Sequence, residues 1–321
     1  MKGGPPATFL LLAYRQERFI REAVEGAFAQ TGPPIEIVLS DDCSPDRTFE
    51  IMSEMADSYR GPHRVVLNRN PANLGLGGHV NRAMELVRGE FVVMAAGDDV
   101  SLDGRTEALC REWARTGGGD CSIYSDAVRI DPEGRETGKL IGARAPSHAR
   151  SPEEAVSRGG TGVAGCTHAF TRSCFDVFGP MGSGVVAEDM AIPFRSLLLG
   201  DVRYLDEPLV RYRTHGGSIS GDTGSRPTLA MRAREAENHE AVFRSWRSDL
   251  RAARERGLLA GGRAEAMEKE LLLRLHWVNV EKRYYRSGAI GGLPDLVAAA
   301  FEAGSPARAL KIVERRFRTR G

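Results

Sequence analysis

Paired acids at the ends of apolar runs are the residues of this chain best placed to do chemistry. Asp41-Asp42 follows the run 35–40, Asp98-Asp99 follows 91–97, and Glu188-Asp189 opens a helix-like segment that leads on to Tyr212-Arg213-Thr214-His215. A buried strand that delivers carboxylates at its carboxyl end presents them to the crevice where an α/β sheet binds ligands. A single Asp-Asp is more often a solvated turn or a helix cap. Three pairs in this order, with a histidine downstream, imply a metal-assisted nucleotide-sugar site.

The elements that must position these pairs follow from periodicity and breakers. Residues 8–13 read as a buried strand; Phe19, Ile20, Ala23, Val24, Ala27 and Phe28 then recur at helical spacing until Gly32-Pro33-Pro34 stops them. Residues 35–40 are the next strand, and Ser44-Pro45 offers a hydroxyl cap and a first-turn proline to a helix bearing Phe49, Ile51, Met52, Met55 and Tyr59. A third strand at 64–67, a helix after Gly75-Leu76-Gly77-Gly78 and a strand at 90–96 complete an alternation that implies a mostly parallel sheet with covered faces. Beyond residue 100 the pattern predicts a helix at 102–115, a strand at 121–130, a turn at Asp131-Pro132-Glu133-Gly134 and a polar linker at 144–150. It continues with a helix at 151–159, a strand at 166–172, a helix at 188–199 and strands at 202–205 and 209–213. From about Pro227 the chain is helical and highly charged, with Leu271, Leu272, Leu275, Val278 and Val280 as a core stripe. The expected division is 1–225 as one α/β domain, with halves 1–110 and 111–225, and 226–321 as a helical region.

Composition narrows the classes. Across 321 residues, 44 Lys and Arg oppose 43 Asp and Glu, so the basic field that general nucleic-acid binding requires is missing. The 41% hydrophobic content can fill a real core. Five cysteines without C-x-x-C spacing fit reduced thiols and a cytoplasmic setting. No apolar run approaches the length of a membrane span, and the N-terminal run 7–13 reads as the first strand. Arg308, Lys311, Arg315, Arg316, Arg318 and Arg320 crowd around Leu310, Ile312, Val313 and Phe317. That pattern resembles a basic amphipathic helix and points to association, either with another subunit or with a membrane-borne acceptor at the inner membrane face; a solvated tail is the plainer reading of the same residues.

Ala13-Tyr14-Arg15 with Gln30-Thr31, the run from Ser40-Asp41-Asp42 to Asp46-Arg47-Thr48, Asn73-Leu74-Gly75, Asn81, Gly89-Glu90, Asp98-Asp99, Glu188-Asp189 and Tyr212-Arg213-Thr214-His215 stand in a recognisable order. From about residue 7 to 220 the chain resembles family 2 glycosyltransferases of the GT-A fold, an α/β architecture with a Rossmann-like sheet. The resemblance implies an inverting transfer from a nucleoside diphosphate sugar, of uracil or thymine (UDP or dTDP), to an acceptor hydroxyl. The acceptor class stays open between a glycan, a lipid-linked glycan and a small natural product.

The resemblance also implies roles. Tyr14 would pack on the base and Asp42 accept its imide N–H, both suited to the residue types; Ala13, Asn73, Gly75 and Asp98 complete the nucleotide-binding set. Asp98 and Asp99 would divide Mn²⁺ or Mg²⁺ and the ribose between them, since a hard cation needs few protein ligands when phosphates supply the rest. His215 would add a metal or phosphate contact, and the glycine-rich stretch 216–220 would fold over the diphosphate. Asp189 would act as general base on the acceptor, with Glu188 as an acceptor or sugar contact.

Two departures from the family pattern are visible. Ala96 replaces the acid two positions before Asp98, which leaves the division of labour between Asp98 and Asp99 open. Val80-Asn81 stands where relatives have Arg-Asn, with His79, read as a helix-surface residue, and Arg82 as neighbours. Arg211 and Arg213 are read either as phosphate contacts or as strand-surface charges. A sugar-phosphate nucleotidyltransferase is disfavoured because 14–18 lacks a glycine-rich activation loop. A non-catalytic nucleotide-sugar-binding protein is the reading from outside enzymology.

Overall fold

The computed structural model describes residues 6–139, 148–216, 227–287, 294, 296–298 and 306–317. The chain divides into two compact units, Met1–Met181 with Ala187–Gly221, and Gly182–Val186 with Asp222–Gly321.

In the first unit, β1 (Ala7–Ala13), β2 (Glu36–Asp41), β3 (Arg64–Arg69) and β4 (Phe91–Ala96) lie parallel in the order β3-β2-β1-β4. Helices α1 (Ile20–Phe28), α2 (Thr48–Ser58) and α3 (Gly75–Met84) connect them. Every residue of β1 and β2 is buried, as unbroken apolar runs must be when helices cover both faces of a sheet. Phe9, Leu11, Ile37, Leu39, Phe91 and Val93 pack with Ile20 and Val24 of α1 and Met52 of α2 in one core. Burial of each such side chain contributes roughly 1.5–3 kcal/mol.

The sheet continues through β5 (Val100–Ser101), β6 (Cys121–Ile130), β7 (Glu136–Lys139), β8 (His168–Thr171) and β9 (Asp201–Arg213). From β4 its order is β8-β6-β9-β5, with β7 on β6; β6 and β9 are parallel, and the other pairings here are antiparallel. Helices α4 (Arg105–Arg115), α5 (Pro152–Arg158), α6 (Ser173–Asp176) and α7 (Glu188–Leu199) and a 3₁₀ turn at Gly165–Thr167 accompany it. Because β1 has β2 on one side and β4 on the other, the chain reverses direction of winding at β1. That opens a crevice above the carboxyl ends of these three strands.

Several local expectations change. Ser44 does not cap α2: its hydroxyl accepts the Arg15 N–H (2.9 Å), and Asp46 Oδ1 accepts the Thr48 N–H (3.2 Å), one turn later than expected. The helix expected from 102 begins at Arg105, because residues 100–101 pair with β9 as a short strand. The glycines 75–78 lie within α3 rather than ahead of it. The strands expected at 202–205 and 209–213 are one strand; the register with β6 slips at Asp126, opposite Pro208, which has no N–H to donate. The strand expected from 166 starts at His168, after the 3₁₀ turn. Most of the linker expected at 144–150 lies outside the described residues.

In the second unit, α8 (Leu229–Glu255) and α9 (Gly261–Arg286) pack along each other, and Trp277, Val280, Tyr284 and Tyr285 form a core with Ala233 and with Ile312 of α10 (Pro306–Phe317). Leu271, Leu275, Val278 and Val280 are buried as the stripe requires, but Leu272 is 47% exposed. Ile312 is buried and Val313 packs against the same core, while Leu310 is 60% exposed. The segment Gly182–Val186 belongs to this unit: the Gly182 N–H donates to Ser245 Oγ (3.4 Å) and the Val186 N–H to Asn238 Oδ1 (3.1 Å). Just before it, Asn81 grips Met181 from both sides, accepting its N–H (2.8 Å) and donating to its carbonyl (3.0 Å). No helix among the described residues is long and apolar enough to cross a membrane.

Candidate active site

Strand register brings the first two acidic pairs to one edge. Ala13, the last residue of β1, pairs with Asp41 of β2, while Leu12 pairs with Ala96 of β4, so Ala13, Asp42 and Asp98 emerge side by side at the crevice. The Asp42 N–H donates to the Ala13 carbonyl (3.0 Å). Tyr14, just beyond, is 40% exposed, as a ring free to pack on a ligand must be.

The Asp42 carboxylate is buried and oriented by protein donors. Oδ1 accepts from Asn70 Nδ2 (2.8 Å) and the Leu74 N–H (3.0 Å), and Oδ2 lies 3.1 Å from the same N–H. A carboxylate offers about four lone-pair positions, so one edge stays available to a ligand. Asn73 Oδ1 accepts the Gly75 N–H (3.2 Å), and Gly75 has φ +70°, a left-handed conformation that turns the loop tightly into α3. Ser40 Oγ lies 2.7 Å from His79 Nε2 and accepts from Asn68 Nδ2 (2.9 Å), which also donates to Asn70 Oδ1 (3.0 Å). His79 is therefore buried beneath Asp42, not on the helix surface, and burial lowers its pKa despite the charges of Asp42 and Asp41.

Asp98 and Asp99 form the turn after β4 and differ sharply in environment. Asp98 Oδ2 lies 3.0 Å from His215 Nε2, both side chains half-buried. Asp99 is buried; its Oδ1 accepts the Arg213 N–H (2.8 Å) and its Oδ2 has no partner among the described residues. Burial first, then the neighbouring Asp98, push the Asp99 carboxyl well above the usual range, against the pull of Arg213 and Arg105. Arg213 is wholly buried, so it is not a strand-surface charge. Its Nε donates to the Asp98 carbonyl (3.0 Å), Nη1 to the Pro132 carbonyl (3.0 Å) and Nη2 to Glu22 Oε2 (2.8 Å), and it lies over the Phe19 ring. It thus clasps the Asp98-Asp99 turn to α1 and to the β6–β7 turn, and Phe19 also packs on His215. Arg211 donates to the Gly134 carbonyl (2.6 Å).

A divalent cation fits this corner in one sense only. Among the described residues no group of three or more His, Cys, Asp and Glu side chains is arranged to hold a metal. Asp98 and the unpartnered Asp99 oxygen are hard donors and the His215 imidazole a borderline one, a set that a diphosphate would have to complete. Residues 217–220 of the glycine-rich stretch lie outside the described residues.

Glu188 and Asp189 open α7, where the helix dipole favours negative side chains. Both are half-buried. Burial pushes Glu188 up to about 8, helped by Asp189, and pushes Asp189 up to about 6, with backbone N–H groups holding it down. The two acidic pairs share one neighbour. The half-buried Cys166 thiol feels the charges of Asp99, Asp98 and Asp189, and its pKa is raised by burial and by these acids.

Arg105, Asn70, Cys166 and the clasp role of Arg213 escaped the sequence reading. For Arg105 a signal existed: a cation in the first turn of a helix opposes the macrodipole and calls for another partner. Arg213 had none, because Asp99 and Glu22 lie 114 and 191 positions away.

Comparison with known proteins agrees with this geometry. The model of Glycosyl transferase family 2 matches residues 8–172. An uncharacterised protein of Mycobacterium tuberculosis (strain ATCC 25618 / H37Rv) is 36% identical over 93 residues, 29% of this chain and 26% of its own. EpsH of Bacillus subtilis (strain 168), named as a glycosyltransferase, is 27% identical over 226 residues, 67% of this chain and 62% of its own. The chain thus spans less than two thirds of the length of these relatives. The crystal structure of S. aureus TarS 1-349 in complex with UDP-GlcNAc superposes with a TM-score of 0.61 at 18% identity, covering 95% of this chain and 83% of that one; the fold is shared, and it is the GT-A fold. With its family model matched over just over half its length, the chain belongs to glycosyl transferase family 2.

Proposed function

We propose that the protein is an inverting glycosyltransferase that moves a sugar from a UDP- or dTDP-sugar to an acceptor hydroxyl, assisted by Mn²⁺ or Mg²⁺. The observation that carries this reading is the strand register that sets Asp42 and Asp98 side by side at the crevice above β2, β1 and β4, with Glu188 and Asp189 together at the start of α7. Residues 1–110 supply the donor half, 111–225 the acceptor half and 226–321 the helical region. The acceptor is a glycan, a lipid-linked glycan or a small natural product. UDP-GlcNAc bound to TarS favours uridine over thymidine.

Asp42, held by Asn70 and Leu74, accepts the imide N–H of the base, and Tyr14 packs on the ring. Asn73 and Gly75 shape the loop beside them. Asp98, Asp99 and His215 would hold the cation, which when bound neutralises the departing diphosphate. Asp189, in the first turn of α7, takes the proton from the acceptor hydroxyl as it attacks the anomeric carbon. Glu188, whose protonated form burial and the neighbouring Asp189 favour, contacts the acceptor or the sugar. A single base opposite the leaving group inverts the centre without a covalent intermediate.

Thermal stabilisation by a panel of nucleotides with and without Mn²⁺ tests the reading, because only true ligands raise the melting point by mass action. UDP or dTDP should do so with the cation present. A response to no nucleotide would sink it. Donor turnover that stops in Asp189→Asn would remove the non-catalytic alternative.

A further inference from the structure

A short piece of chain lies against Glu188 and Asp189 and is tied through Arg105 to the residues on either side of Asp98-Asp99. We propose that the Gly165–Thr167 turn, held by Arg105, is a positioning element that sets the separation of Asp98-Asp99 from Glu188-Asp189, an inference that rests on the transfer reading above.

On the donor side, Arg105 is fully buried at the start of α4. Its Nη1 donates to Ser101 Oγ (2.8 Å), and its Nη2 to the carbonyls of Met94 (2.6 Å) and Cys166 (3.1 Å). Met94 and Ser101 bracket Asp98-Asp99 in sequence, so one planar group ties the chain on either side of the donor carboxylates to the turn. A lysine is a point charge on a flexible stem and cannot reproduce that fork.

On the acceptor side, a Cβ added at Gly165 would stand 2.7 Å from Glu188 Oε1 and 3.2 Å from Asp189 Cβ. Gly165 does not have the positive φ that demands glycine; it is small because the acidic pair is close. The Glu188 carboxylate can swing aside, but Asp189 Cβ moves only with the first turn of α7. Thr161 Oγ1 donates to the Asp189 carbonyl (2.7 Å) and Thr167 Oγ1 to the Ala164 carbonyl (3.0 Å), which stiffens the same loop. The path from donor site to base therefore runs through a guanidinium, one 3₁₀ turn and a backbone-to-side-chain contact. A misplacement of about 1 Å between reacting groups is enough to cost about 10²-fold in rate.

The test uses the full chain with Gly165→Ala, Arg105→Lys and Arg105→Met. Calorimetry reads UDP affinity with Mn²⁺, UDP release from UDP-GlcNAc and UDP-glucose reads turnover, and crystal structures of wild type and Gly165→Ala read the Asp99-to-Asp189 separation. Gly165→Ala should keep UDP affinity within about two-fold while turnover falls about ten-fold or more, with a changed separation. Arg105→Met should lose both affinity and turnover, and Arg105→Lys should recover only part. An unchanged separation in Gly165→Ala would overturn the proposal, as would equal loss of UDP affinity and turnover in that variant. A wild type that neither binds UDP nor releases it defeats the transfer reading instead, and the crystallographic comparison still decides the positioning role. Should Arg105→Met fail to fold, the Gly165→Ala arm decides alone.

Discussion

At Glu188 and Asp189 two carboxyls share a helix start, and their environment separates them. Asp189→Asn should lower transfer by about 10²–10⁴-fold while UDP affinity stays near that of the wild type, because the base acts on the acceptor. Turnover and affinity measured side by side check this, and near wild-type turnover would pass the role to Glu188. A second outcome concerns stability. Burial raises both carboxyls above their unfolded values of about 4. The folded state therefore holds these protons more tightly, and the stability so contributed is complete below about pH 4 and is lost as pH rises through about 6 and then about 8. Melting curves of Glu188→Gln between pH 5 and 9 should show it gaining on the wild type as pH rises; a constant difference would refute the shift. Acid pairs at this scale were legible because carboxylates at the end of an apolar run are conspicuous. The roles of Asn70 and Cys166 were not, since each depends on a partner distant in sequence.

Strand β9 shows what an element adds. It carries the only described route by which residues near 213 reach the turn after β4, and its end is fixed by Arg213 through donors to Asp98, Pro132 and Glu22. Arg213→Met leaves these acceptors without their donor and should destabilise the first unit by about 3 kcal/mol, read as a lower urea midpoint at unchanged slope. It should also weaken Mn²⁺-dependent UDP binding, because His215 follows two residues later. A variant with wild-type stability would show that the clasp carries no weight. The order strand, helix, strand could be read from periodicity through β4. The bulge opposite Pro208, the two-residue β5 and the displaced start of α2 could not, because tertiary pairing decides them: β5 exists only as a partner of β9, and Ser44 is drawn away from α2 by the Arg15 N–H.

For the molecule as a whole, UDP with Mn²⁺ at about a hundred times its dissociation constant should stabilise by about 2.7 kcal/mol, and Asp98→Asn with Asp99→Asn should remove most of the metal-dependent part. Full metal enhancement in that double variant would place the cation elsewhere. The C-terminal basic run tests separately: co-sedimentation with anionic vesicles should fall in a chain ending at 303 if these residues reach a membrane. A contact made by the basic side chains should weaken in high salt. The division into units has a consequence for anyone recombining this chain with its relatives. Gly182–Val186 leaves the α/β unit after Met181, is tied to Asn238 and Ser245, and returns one residue before Glu188. No single cut therefore separates the two units, and a chimaera joined only near residue 221 would carry a foreign anchor for the segment that leads into Glu188-Asp189. Grafted acceptor modules would fail or succeed on the match of five residues far from the splice.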